Sequence, residues 1–240
     1  MYRKGTFMKW IGLIGGMSWE SSAEYYRVIN QLVRTARGGL HSAPILMASV
    51  DFAQIEAYQH RGEWDKAGTL LATVAQRLVA AGADCIVLCT NTMHKVAATI
   101  TADLPIPFIH IADATAERIV ASGIRTIALL GTRYTMEQDF YKGRLEAQYG
   151  LTVLVPDEAD RVTVNRIIYD ELCMGIIADD SRTHYQTIMA GLVARGAQGV
   201  ILGCTEITLL VGAADVTVPV FDTTQIHAEA AVTYALAAHP

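Results

Sequence analysis

Cys204 stands at the end of the stretch Val200-Ile201-Leu202-Gly203-Cys204-Thr205-Glu206, where apolar residues run into a glycine and a strand should hand over to a helix. A thiol at such a junction lies near unpaired backbone N–H groups and the positive end of a helix dipole, which favour the thiolate. A thiolate at a strand end is a proton acceptor placed to meet a ligand. The stretch has a counterpart. Gly196-Ala197-x-x-Val200-Ile201-Leu202-x-Cys204 matches Gly82-Ala83-x-x-Ile86-Val87-Leu88-x-Thr90, 114 positions earlier. The chain thus carries two matched strand ends, one bearing a sulfur and the other the hydroxyl of Thr90. If they face one another across a substrate, a small molecule between them has a proton carrier on either side.

Elements that could hold such a pair follow from the pattern. Buried strands are expected at 10–14, 45–50, 85–88, 108–111, 126–130, 152–155, 199–202 and 218–221, alternating with helical stretches. A capping box at Ser21-x-x-Glu24 opens the first helix, and a loop holds Gln59-His60-Arg61-Gly62 before a helix over 64–81. Helices are also expected over 135–148 and from Thr224 onward. Nearly uniform apolar strands alternating with helices indicate parallel sheets covered on both faces. Two further echoes accompany the first: Ile11–Gly15 recurs at Ile127–Gly131, and Pro107–His110 at Pro219–Asp222. The expected fold is therefore α/β: two pseudo-symmetric lobes, each a mostly parallel sheet flanked by helices, with the active site in the cleft between them. The expected boundaries are 8–106 plus 222–240 for the first lobe and 107–221 for the second.

Composition narrows the function classes. Of 240 residues, 52% are apolar and 18% charged, enough for a sizeable core. A net charge of −5, with no block of like charge, argues against nucleic acid or an anionic membrane as partner. The apolar runs are too short to span a bilayer. The basic N-terminus lacks a signal-peptide core, so a cytoplasmic protein with reduced thiols is expected. Met8 offers an alternative start, which would make residues 1–7 an upstream extension. Neither C-x-x-C nor H-x-x-x-H spacing occurs, so no metal site is expected.

In open parallel sheets ligands bind beyond the carboxyl ends of the strands. Four such ends warrant inspection: Gly15-Gly16-Met17-Ser18, Thr90-Asn91-Thr92, Gly131-Thr132-Arg133 and Cys204-Thr205-Glu206. Their backbone amides and hydroxyls suit a small anion such as a carboxylate. Gly12-x-x-Gly15-Gly16 lacks the dinucleotide order, no phosphate-loop lysine follows, and Lys95 alone lies near a strand end as a Schiff-base lysine would have to. Among the other thiols, Cys89 adjoins Thr90 but alternation sends it to the opposite face, towards covering helices, and Cys85 shares that environment. Cys173 reads as packing in a helix. His94 either points back to the ligand or ends a hydrogen-bond chain.

Gly15–Ser18, Thr90-Asn91-Thr92-Met93-His94 and Gly203–Glu206 resemble the three signature regions of the aspartate/glutamate racemase family. The similarity runs over essentially the whole chain from Met8. It is greatest to the enterobacterial L-aspartate/glutamate-specific racemases, which share Arg61-Gly62-Glu63-Trp64-Asp65-Lys66 and Leu130–Met136. The resemblance implies an isomerase that works without cofactor on a small acidic amino acid, as a homodimer, with a proton carrier on each face of the substrate α-carbon. It places Cys204 and Thr90 in those roles, and Met17, Ser18, Gln59, Asn91, Thr92, Thr205 and Glu206 around the substrate. Asn91, Thr92 and Thr205 would hold the α-carboxylate and Glu206 would attract the ammonium. Gln59, Arg61 and Arg133 are the candidate donors to the second carboxylate. The family pattern has cysteine where this chain has Thr90, a departure that the subgroup shares. Two other readings fit a single cysteine on this scaffold: a decarboxylase or isomerase of a small diacid, distinguished by its product, and a binding protein that leaves the α-proton of L-aspartate or L-glutamate unexchanged.

Overall fold

Strands built from Ile, Leu and Val without polar alternation are stable only where both faces are covered, and the strands pair accordingly. In the computed structural model, which describes residues 8–237, every strand pair is parallel. The proposed extension at residues 1–7 lies outside the described residues. The strands are β1 (Ile11–Gly15), β2 (Ile45–Ser49), β3 (Cys85–Leu88), β4 (Phe108–Ile109), β5 (Thr126–Gly131), β6 (Thr152–Leu154), β7 (Val200–Gly203) and β8 (Val220–Asp222). They form two four-stranded sheets with the orders β2-β1-β3-β4 and β6-β5-β7-β8. The three sequence echoes thus join strands in equivalent places, β1 with β5, β3 with β7 and β4 with β8. Among the described residues no helix is long and apolar enough to cross a membrane.

The chain divides into two compact units. The first comprises residues up to Cys89, then Val96–His110, and the chain from His227 on; the second comprises Thr90–Lys95 and Ile111–Ile226. Residues 90–95 continue directly from β3 yet belong to the second unit, which also holds Cys204.

Local physics shifts several expected boundaries. The first helix spans Trp19–Arg37 and is capped by Ser18, not Ser21: the Ser18 hydroxyl accepts the Ser21 N–H at 3.2 Å. Ser22 reinforces the turn, donating to the Ser18 carbonyl at 2.9 Å and accepting the Gly16 N–H at 2.7 Å. Gly16, at φ +94°, admits no Cβ, which would strike the backbone of Val50. The loop expected around Gln59 is the end of a helix, Phe52–His60, in which the Asp51 side chain accepts the Ala53 N–H at 3.1 Å. The helix expected over 135–148 is two pieces, Arg133–Glu137 and Lys142–Tyr149, the second closed by Gly150 in the left-handed conformation.

The core of the first unit gathers Ile11, Leu13, Tyr25, Val28, Ile29 and Val33 with Cys85, Val87 and Cys89. Ala228, Ala231, Val232 and Ala235 of the last helix complete it. Within that core the Tyr25 hydroxyl donates to His227 Nδ1 at 2.8 Å, and His227 Nε2–H donates to the Ile109 carbonyl at 2.7 Å. Burial pushes the His227 pKa down to about 4, with His110 acting in the same direction against the Ile109 hydrogen bond. A depressed folded pKa means that neutral His227 stabilises the fold above the ordinary value near 6.5. That contribution is lost as pH falls from about 6.5 through about 4. Between pH 6.5 and 4.5 the loss is about 2–3 kcal/mol. Urea titrations should show this much extra destabilisation in the wild type relative to His227→Gln. The same pH dependence in both proteins would contradict the assignment.

Candidate active site

Side chains just past β5 and β8 hold residues 90–95 within the second unit, and one of them is tied in turn to a β7 backbone carbonyl. Asn91 Nδ2 donates to Thr223 Oγ1 at 3.0 Å, and the Thr223 hydroxyl in turn donates to the Leu202 carbonyl at 2.9 Å. Leu202 lies on β7, two residues before Cys204. The Thr92 hydroxyl is 3.0 Å from that of Thr132, at the end of β5. Thr132 also caps the helix Arg133–Glu137, accepting the Thr135 N–H at 3.4 Å. His94 holds the third point: its Nδ1 faces the Thr90 carbonyl at 2.7 Å, and its Nε2 accepts the Ile111 N–H at 3.2 Å. A carbonyl can only accept and a backbone N–H can only donate, so His94 is neutral with its proton on Nδ1. Of the two expectations for His94, the hydrogen-bond chain is the one observed. It satisfies the first N–H of the helix Ile111–Ala121.

Thr90 and Cys204 therefore belong to one compact unit, within which the relay Asn91–Thr223–Leu202 links the residue after Thr90 to β7. Thr90 is half-buried, and Cys204 retains partial access to solvent. The glycines before the site are sterically required. Gly131 and Gly203 pair across β5 and β7, and a Cβ on Gly203 would come within 2.8 Å of the Leu130 carbonyl oxygen.

The state of Cys204 differs from expectation. Its Sγ donates to Glu206 Oε2 at 2.9 Å, and the Thr205 hydroxyl donates to the same oxygen at 2.8 Å. Burial comes first, followed by the charge of the Glu206 carboxylate and the hydrogen bond it accepts. Together they push the Cys204 pKa well above the ordinary thiol value. The Glu206 N–H opposes them and loses. The helix after Cys204 is only a five-residue 3-10 turn, Thr205–Leu209, too short to supply the dipole that would favour a thiolate. The ground state is a thiol held against a carboxylate. Its proton has an acceptor 2.9 Å away. Cys85 and Cys89 lie wholly in the core of the first unit, where burial raises both pKa values, that of Cys85 to about 12.

The remaining expected site residues divide between the units. Thr205 and the buried Glu206 flank Cys204 in the second. Met17, Ser18 and Gln59 are in the first, all buried, with Ser18 as the helix cap described above. The Arg61 guanidinium is 2.9 Å from Glu63 and stacks over Tyr58, 5.6 Å from the ring centre. Arg133 pairs with Glu137 at 3.3 Å, while its backbone N–H donates to Asn165. Sequence reasoning singled out Thr132 as a strand-end residue but not as an anchor of the Thr90 segment, and it missed Thr223. The echo ending at Asp222 pointed to this corner, but a hydroxyl one residue further on carried no signal of its own.

The sequence model of the Asp/Glu/Hydantoin racemase family matches residues 14–231, nearly the whole chain. The chain belongs to that family. A candidate Asp/Glu racemase of Yersinia pestis shares 59% identity over 96% of this chain and 100% of its own, with a TM-score of 0.92. An aspartate racemase homologue from Pyrococcus horikoshii OT3 shares 35% over 95% of this chain and 99% of its own, with a TM-score of 0.83. The aspartate racemase of Picrophilus torridus, at 20% identity and a TM-score of 0.74 over 95% and 94% of the two chains, shows that the fold extends to distant sequences.

Proposed function

We propose that this chain is a cofactor-independent racemase of L-aspartate, L-glutamate or both, moving the α-proton between Cys204 on one face and Thr90 on the other. The reading is supported above all by the relay from Asn91 through Thr223 to Leu202, which fastens the segment bearing Thr90 to the strand that leads into Cys204. Family membership and the aspartate racemase homologue at 35% identity support the substrate class.

Glu206 takes the thiol proton as the substrate binds, leaving a thiolate beside a neutral carboxyl group. The thiolate removes the α-proton of the L-amino acid, and the C–H electron pair passes into the α-carbon and its carboxylate. Thr90, directly or through water, delivers a proton to the opposite face; its oxygen regains one from solvent, and Glu206 releases one to solvent, which restores the starting state. Donors around the carboxylate stabilise the charge that develops there. An aliphatic hydroxyl serves as an acid towards a carbanion, but its alkoxide is scarcely populated near neutral pH. The Thr90 step therefore sets the barrier in both directions. Because the enantiomers are equal in free energy, kcat/KM is equal in both directions, whichever face reacts more easily.

Aspartate and glutamate differ by one methylene, worth about 1–3 kcal/mol in a pocket, so the test uses both. Each L-amino acid is incubated with the purified protein and its enantiomers are resolved by chiral chromatography while released carbon dioxide is measured. Racemic amino acid without carbon dioxide is expected. Carbon dioxide would favour the decarboxylase reading, and unchanged L-amino acid would leave a binding protein. Homodimer assembly and a cytoplasmic location belong to the same proposal.

A further inference from the structure

Asn91 is 4% exposed, and its Oδ1 has no hydrogen-bond partner among the described residues. A native fold seldom leaves a buried carbonyl oxygen in this state. Thr223 decides which amide atom is left over. Its hydroxyl has one hydrogen, directed at the Leu202 carbonyl 2.9 Å away. Towards Asn91, 3.0 Å away, the same oxygen can only accept, so the amide must present Nδ2 to it. A flipped amide would set two oxygens together with no hydrogen between them. Thr224, the next residue, is 3% exposed and its hydroxyl also lacks a partner. Two unsatisfied polar side chains thus lie at the corner where the Thr90 segment meets the end of β8.

The unsatisfied Asn91 atom is an acceptor, which determines what it can bind. An acidic amino acid at neutral pH carries two carboxylates, which only accept hydrogen bonds, and one ammonium, which only donates. We infer that Thr223 is a positioning residue that orients the Asn91 amide so that Oδ1 receives the substrate ammonium. This rests on the racemase reading of the site and revises the expectation that Asn91 grips the α-carboxylate. That carboxylate falls to other donors, Thr92 among them.

Removing the amino group from the ligand isolates the claim. Succinate keeps both carboxylates of aspartate and lacks the ammonium; glutarate stands in the same relation to glutamate. Calorimetric titration of Thr223→Val, which can neither accept from Asn91 nor donate to Leu202, should show at least a tenfold weaker Kd for the L-amino acid. Binding of the matching diacid should change by less than twofold. Thr223→Ser keeps both hydrogen bonds and should restore amino-acid affinity. Should Thr223→Val fail to fold, Asn91→Ala must show the same split between amino acid and diacid. Equal losses for both ligands, or no loss for either, would overturn the assignment. A wild type that binds neither amino acid would sink the racemase reading itself, a result distinct from a wild type that binds normally beside variants without the split.

Discussion

Cys204→Ser is expected to lower racemisation by on the order of a thousandfold or more while leaving substrate affinity within a few-fold. The serine oxygen can still donate to Glu206, so the local hydrogen bond survives. The lost property is acidity: a thiol starts near pKa 8.5, whereas an aliphatic hydroxyl lies many units higher and cannot form an anion near neutral pH. General-base contributions of about 10²–10⁴ are typical of a positioned group, and here the variant removes the base itself. The check is a binding titration beside a chiral assay. Turnover within tenfold of the wild type would show that another group removes the α-proton. Lost binding would show that the substitution had disturbed the pocket.

Glu206→Gln should move two properties of the same sulfur in opposite directions. The carboxylate raises the Cys204 pKa through its charge and the hydrogen bond it accepts, and the amide supplies no charge. The thiolate fraction near pH 8 therefore rises, about tenfold for each unit by which the pKa falls, and iodoacetamide should alkylate Cys204 correspondingly faster. Burial, the largest cause of the raised pKa, remains, so the thiol stays less acidic than an exposed cysteine. Racemisation should nevertheless fall by about a hundredfold, since the group that receives the thiol proton is gone. Peptide mapping of the alkylated protein reads the first effect and chiral chromatography the second. Both rates falling together would mean that Glu206 only packs the site.

The sheets were legible in the sequence because their strands are continuous apolar runs and their repeats fall in matching places. β3 lies where the pattern predicts it, and the echoed strands take equivalent places in the orders β2-β1-β3-β4 and β6-β5-β7-β8, which the sequence did not itself predict. The helix Phe52–His60 was not legible: its Asp51 cap is a common turn residue, and nothing in the composition marks the segment as more than a loop. The thiol at Cys204 was legible as a position but not as a protonation state. A strand end followed by a helix suggests a thiolate, and only the geometry reveals that Glu206 turns back onto the sulfur. The anchors Thr132 and Thr223 act through contacts across 40 and 132 residues of chain, a kind of information that no local pattern holds.

Proton NMR in D₂O, with recovered enantiomers separated before analysis, tests the division of labour between Cys204 and Thr90 most directly. From the L-amino acid, reversible removal of the α-proton by Cys204 should place deuterium in recovered L-substrate faster than D-product forms. From the D-amino acid, recovered substrate should keep its proton while the L-product carries deuterium. Equal wash-in from both enantiomers, or D-product keeping pace with exchange in the L-pool, would contradict a pair made of one facile sulfur base and one reluctant hydroxyl.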